Sequence, residues 1–150
     1  MVKNRVFVDS SVFISAVLSS HGGSFYLLTS LKEKFVFQTN EYVLAEIARV
    51  LNTKFSTNRE LENRMFLLLG IARVNVLFNP PLQKVLSLKK ILNVEDTPIL
   101  ASALAHSDYL LTLDNEFFNS RVSNYARKKK LTILKPKEFI QANEFNSSFN

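Results

Sequence analysis

The chain has 150 residues, 47% of them hydrophobic, with 13 phenylalanines and no tryptophan, which suffices for one domain whose core volume comes largely from Phe. Cysteine is absent, which excludes a disulfide framework and any thiolate metal site and fits a reducing cytosol. The formal net charge of +6 suits a polyanionic partner such as RNA, DNA or an acidic protein.

The predicted elements alternate in type. RVFVD (Arg5 to Asp9) reads as a strand, and SVFISAVLSS as a short helix closed by the glycines of HGG. SFYLLTSLKEK reads as a second helix and KFVFQT as a strand. NEYVLAEIARVLNTKF is a longer helix with Val43, Ile47, Val50 and Leu51 on its apolar stripe. NRELENRMFLLLGIARV is another helix, and VNVLFNPP a short strand stopped by its prolines. LQKVLSLKKIL and TPILASALAH read as helices, DYLLTLD and LTILKP as strands, and KEFIQANEF as the last helix. The early apolar stretch VFVDSSVFISAVL is broken by Asp9 and three serines, unlike a signal peptide. No uninterrupted apolar run approaches the ~18 residues that span a membrane. The expectation is a soluble, cytoplasmic protein with no membrane partner, a single domain over residues 1–145 and a disordered tail over 146–150.

Strand then helix, repeated, predicts an α/β fold: a central parallel sheet of four or five strands covered by helices on both faces, in three layers. The strands are short and nearly all apolar, as both-face burial requires. Ligands of such sheets bind outside the carboxyl ends of the strands. Asp9 lies at the carboxyl end of the first strand and Asp114 at that of YLLTLD.

Only four of the 13 acids are aspartate: Asp9, Asp96, Asp108 and Asp114. Each of the candidate acids also has a plain structural role open to it. Asp9 can cap the following helix, although Ser10 or Ser11 would serve equally well. Asp96 or Thr97 can cap the helix opened by Pro98, and Asp114 can be a turn residue before NEFF. Glu46 differs, because the helical wheel puts it between Val43 and Val50, beside Ile47, at the edge of the buried face. Burying a carboxylate without a partner costs several kcal/mol or forces protonation. Acids converging from several elements repel one another, and a hard divalent cation is the usual compensation. Oxygen-only ligation points to Mg²⁺ or Mn²⁺. Such sites hydrolyse phosphodiesters.

In chain order, VFVDSSVFISAVL, YVLAEIARVL, EDTPILASALAHSDYLLTLDNEFF and ILKPKEFI resemble the successive motifs of the PIN-domain nucleases, including the VapC-type toxins of prokaryotic toxin–antitoxin pairs. The likeness runs from Arg5 to about Ile140 and is loose between Thr53 and Asn93. The resemblance implies a PIN-like fold and metal-dependent cleavage of single-stranded RNA. It implies Asp9 as the central metal ligand, Glu46 as the helix acid, and Asp96 and Asp114 completing the cluster. Ser10 and Thr112 match positions where the family places a hydroxyl near the acids. Glu116 stands where many relatives carry a further Asp, so it is a candidate ligand of a second metal. An antitoxin protein and a homodimer are the further partners the family implies. The basic run ARKKKL makes Lys128, Lys129 and Lys130 candidates for tracking RNA phosphates, against the plainer reading of a solvated helix face. The alternatives are a non-catalytic PIN-like module that binds RNA or protein, and a phosphoacceptor receiver-type pocket. The last is disfavoured because the late strand ends in Asp114 where such domains want a lysine.

Overall fold

The structure is a computed structural model that describes residues 2–55 and 58–147. Five parallel strands form one sheet in the order β3-β2-β1-β4-β5: β1 (Asn4–Val8), β2 (Phe35–Asn40), β3 (Asn75–Leu77), β4 (Tyr109–Leu111) and β5 (Thr132–Leu134). Val6, Phe7 and Val8 of the central strand are wholly buried although successive side chains point to opposite faces, so both faces of the sheet are covered. Helices α1 (Ser10–Leu18), α2 (Gly23–Ser30), α3 (Glu41–Lys54) and α4 (Arg59–Ile71) pack on one another, and α8 (Pro136–Ser147) joins them against α2. α5 (Leu82–Ser87) packs on α6 (Thr97–His106), which lies over β1, β2 and β4; α7 (Ser120–Lys128) packs on β5. This is the three-layer arrangement expected from the strand–helix alternation. Among the described residues no single helix is long and apolar enough to cross a membrane.

Phenylalanine fills the core as its abundance requires. Phe7, Phe13, Phe37, Phe117 and Phe139 are fully buried. Phe139 of α8 packs its ring against Phe35 and Tyr109, with centroids 4.9 and 5.4 Å away, locking the last helix over the first residues of β2 and β4.

Several boundaries differ from the sequence expectation. The glycines of HGG do not close α1. That helix ends where Ser19 turns extended (φ −144°, ψ 107°), and Gly22 instead caps the start of α2 with φ −85°. Gly23 faces α8, where an added Cβ would stand 3.3 Å from Ile140 Cδ1. α2 stops at Ser30, because the chain turns at the buried Leu31 to enter β2. A short 3₁₀ turn (Asn115–Phe118) and α7, of which only the basic end was read as a possible helix face, connect β4 to β5. α8 runs to Ser147, so residues 146 and 147 are helical where a tail was expected; 148–150 lie outside the described residues.

Candidate metal centre

The sheet order places a crevice. From β1 the chain proceeds outward through β2 to β3, then returns across to β4 on the other side of β1. The carboxyl ends of β1 and β4 therefore flank the point where the winding reverses, the usual ligand position in open α/β sheets. Asp9 leaves β1 there, and its N–H donates to the Leu111 carbonyl at the end of β4 (3.0 Å).

Asp9 is 3% exposed, and both of its carboxylate oxygens accept hydrogen bonds. Oδ1 accepts from the Ser10 N–H at 2.7 Å, and Oδ2 accepts from the Thr112 hydroxyl at 2.7 Å and the Ser11 hydroxyl at 3.1 Å. Asp9 thus caps α1, the role the sequence offered equally to Ser10 or Ser11, and lies in the crevice at the same time. The serines are otherwise engaged. The Ser10 hydroxyl donates to Glu46 Oε1, and the Ser11 hydroxyl accepts the Leu113 N–H (3.0 Å). Burial drives the Asp9 pKa up from 3.8 to about 6, with the Glu46 charge adding to the rise and the donors from Thr112, Ser10 and Ser11 opposing it.

Glu46 projects from the flank of α3, half-buried, and meets Ser10 and Asp9 across the α1–α3 contact. Asp96 stands at the head of α6 yet does not cap it with its side chain. The Thr97 hydroxyl does not cap either, since it donates to the Val94 carbonyl (2.7 Å). Half-buried, Asp96 has its pKa raised to about 6 by burial and then by the charge of Asp114, with Asn93 lowering it and Asp9 and Glu46 raising it further. The four acids from four separate elements therefore share one electrostatic neighbourhood. Asp114 also caps the 3₁₀ turn, accepting the Glu116 N–H at 3.0 Å, while its own N–H donates to Thr112 Oγ1 at 3.0 Å. Thr112 is the hinge of the site: one buried hydroxyl fixes Asp9 and the backbone of Asp114. Glu116 is exposed on the turn.

Among the described residues no lysine or arginine pairs with these four acids, and no three acidic or histidine side chains close into a ready cation cage. The donor set is all oxygen, open and mutually repelling. That suits a hard cation such as Mg²⁺, which keeps several waters and takes one or two carboxylates, better than a dehydrated site for a softer metal. The crevice continues into a cleft of about 560 Å³ between α1 and α3, lined by Ser11, Ser15, Ser19, Glu46 and Lys54.

The structure does not bring Lys128, Lys129 and Lys130 to the acids. They close α7 and lead into β5, so they stand at the amino end of a sheet whose carboxyl end carries the acids. Composition alone shows the run as basic but not that it precedes a strand of a parallel sheet, which is what separates it from the acids.

Two contributors escaped the sequence reading. Asn40, wholly buried at the end of β2, caps α3 through the Val43 N–H (2.9 Å). Its amide donates to Ser102 Oγ (2.8 Å) and the Pro98 carbonyl (3.2 Å) of α6, tying the helix that carries Glu46 to the helix that follows Asp96. An Asn closing a strand before an amphipathic helix was the available signal. Tyr42 is the second: its pKa is raised by burial and then by the charges of Glu46, Glu95 and Asp96, with Arg49 opposing, so its hydroxyl feels the field of two of the acids.

Among solved structures, VapBC2 from Rickettsia felis bound to a DNA fragment from its promoter superposes with a TM-score of 0.66 at 15% identity, covering 87% of this chain and 98% of that one. PAE2754 from Pyrobaculum aerophilum gives a TM-score of 0.66 at 15% identity, covering 93% and 94%. No relative is found among curated protein sequences. The sequence pattern of the PIN domain matches residues 6–121, spanning β1 through the start of α7 and including all four acids. On that match, together with the shared fold, the chain belongs to the PIN domain family.

Proposed function

We propose that the protein is a metal-dependent endoribonuclease that hydrolyses single-stranded RNA in the cytoplasm, acting as the toxin of a toxin–antitoxin pair. The observation that carries this reading is the convergence of Asp9, Glu46, Asp96 and Asp114 on the carboxyl edge of β1 and β4, with no basic residue among the described ones to neutralise them. Membership of the PIN family and likeness to VapBC2 support the nuclease and toxin assignments.

Mg²⁺ or Mn²⁺, when bound, supplies a water of lowered pKa and neutralises charge on the scissile phosphate and leaving oxygen. The protein's own part is preorganisation. Thr112, Ser11 and the Ser10 N–H hold both Asp9 oxygens in place. The Ser10 hydroxyl sets Glu46 against Asp9, and Asn40 holds the helix of Glu46 in register with α6. Asp9 and Asp96 would be ligands, with Glu46 and Asp114 within the same field and Glu116 at its exposed margin. The cleft between α1 and α3, with Ser11, Ser15 and Lys54 among apolar Ile14, Leu18, Val50 and Phe55, gives the RNA strand an approach to Glu46.

The test is cleavage of a single-stranded RNA with Mg²⁺ or Mn²⁺ by wild type, Asp9→Asn and Asp96→Asn. The reading expects cleavage by wild type only and none in EDTA. Equal activity in the variants would assign the cleavage to a contaminant. RNA binding without cleavage by wild type would favour the non-catalytic module, a reading the open geometry of the acids keeps in play.

A further inference from the structure

The segments that open β1 and β5 gather cations at the amino edge of the sheet. Lys3 and Arg5 open β1, and Lys128, Lys129 and Lys130 lead into β5. Hydrogen bonds hold these segments side by side: the Asp108 N–H donates to the Arg5 carbonyl (2.8 Å), and the Thr132 N–H to the Asp108 carbonyl (3.1 Å). All five cations are exposed. The opposing charge among them is Asp108, whose Oδ2 accepts the Arg5 N–H at 2.9 Å. A basic residue near a helix C-terminus complements the helix dipole, which accounts for Arg127 and Lys128 in the last turn of α7. It does not account for Lys129 and Lys130, which lie beyond the helix, the latter held at φ 65°.

This edge is also concave. A polar depression of about 440 Å³ runs past Lys3, Arg5 and His106 to Ala105. Ala105 is shared with a second cavity of about 340 Å³ between α5, α6 and α7. That cavity has an apolar floor of Leu88, Ala101 and Leu104, and a rim of Lys84, Lys129 and the Tyr125 ring, over which the Lys129 ammonium sits at 5.9 Å. A slot with an apolar floor and a cationic rim beside an aromatic ring suits an unstacked base whose phosphates run along the cations. Duplex DNA offers the phosphates but keeps its bases stacked.

We propose that the amino edge of the sheet is a second RNA-binding surface, separate from the acid crevice, which holds a single-stranded segment by its phosphates on Lys3, Arg5 and Lys128 to Lys130 and seats one base between α6 and α7. The two sites lie a strand length apart, roughly 17 Å for the five residues of β1 at ~3.3 Å each. A long RNA reaches both, while a fragment confined to the crevice touches only the acids. The choice of RNA as ligand rests on the nuclease reading. Binding is therefore measured in EDTA, so that loss of cleavage and loss of this surface read out separately.

The experiment titrates a labelled oligouridine of about 20 nucleotides into wild type and into the triple variant Lys128→Ala, Lys129→Ala, Lys130→Asn, with fluorescence anisotropy at several salt concentrations. Asparagine is used at the third position because it tolerates a positive φ. The expected result is a loss of about tenfold in affinity at low salt, with the log–log salt slope shallower by about 2, for three lost phosphate contacts on a single strand. The melting temperature should fall by no more than a few degrees, since all three side chains are exposed and only the dipole contribution of Lys128 and the Lys129–Tyr125 contact are lost. Lys84→Ala, on the far rim of the cavity, should weaken binding in the same direction. Unchanged affinity in both variants would overturn the proposal. So would tighter binding of a duplex DNA of equal length with the same loss in the triple variant, which would give the surface to DNA.

Discussion

Replacing Asp9 with asparagine should make the metal-free protein more stable at neutral pH. Unfolded, Asp9 releases its proton near 3.8; folded, it does so at about 6. Between those values the native state holds a proton that the unfolded state has shed. Stability therefore falls as pH rises through this window, and above about pH 6 the loss is complete. At ~1.4 kcal/mol per pH unit, the charged form costs the fold about 3 kcal/mol. The asparagine side chain carries no such cost and keeps an acceptor for the Ser10 N–H. Its amide does, however, face the Thr112 and Ser11 hydroxyls, which now donate to Oδ2 and would have to turn, at roughly 0.5–1.5 kcal/mol each. The net gain is about 1 kcal/mol, within a span of roughly 0 to 2, which is about 2–4 °C in melting temperature for a domain of this size. The assay is urea unfolding in EDTA, followed by far-UV circular dichroism because the chain lacks tryptophan. At pH 7.5 the variant should be the more stable; at pH 4, where native Asp9 is protonated, the advantage should vanish or reverse. A difference of the same size at both pH values would refute the buried-charge argument.

Adding Mn²⁺ or Mg²⁺ should raise the melting temperature of wild type more than that of Asp9→Asn, by about 2.7 kcal/mol of stabilisation at a hundredfold excess over Kd; equal shifts would sink Asp9 as a ligand. Thr112→Val should destabilise by about 2–3 kcal/mol in chemical unfolding, since it strips a donor from buried Asp9 and the acceptor of the Asp114 N–H, whereas Thr112→Ser should come close to wild type. Asn40→Ala should cost about 2–3 kcal/mol by removing a helix cap and the tie to α6, and Asn40→Ser, which keeps the cap, should recover about 1 kcal/mol of it. Phe139→Ala, which opens a cavity against Phe35 and Tyr109, should cost about 3–5 kcal/mol and unfold the protein at lower urea without changing metal binding.

The strands were legible because burial on both faces leaves a simple mark: VFV and YLL are runs with no polar interruption, and each stops at a polar residue on the same edge. Glu46 was legible for the opposite reason, as a charge where the wheel asks for an apolar residue. The division between cap and site was not legible, because in Asp9 the two coincide. A carboxylate that accepts the first helical N–H is already aimed outward from the strand end, so the sequence offered a choice the fold does not make. Asn40 stayed hidden because its neighbours, Pro98 and Ser102, lie about 60 positions away. Where the basic run lies relative to the acids was not legible for a topological reason: it depends on strand direction, which composition does not carry.

The bond from Thr112 to Asp9 joins residues 103 positions apart. Until β4 exists to pair with β1, Asp9 has neither its strongest donor nor the desolvating wall of Leu110 and Leu111. In a chain still being synthesised, the first acid is an ordinary solvated carboxylate, and Asp96 and Asp114 are not yet made or not yet placed. The crevice can form only when some three quarters of the polypeptide is available, because its walls join segments about a hundred residues apart. The four acids can share one field only after Asp114 and β4 have been made, so the candidate site is completed late in synthesis whatever the order in which the helices form.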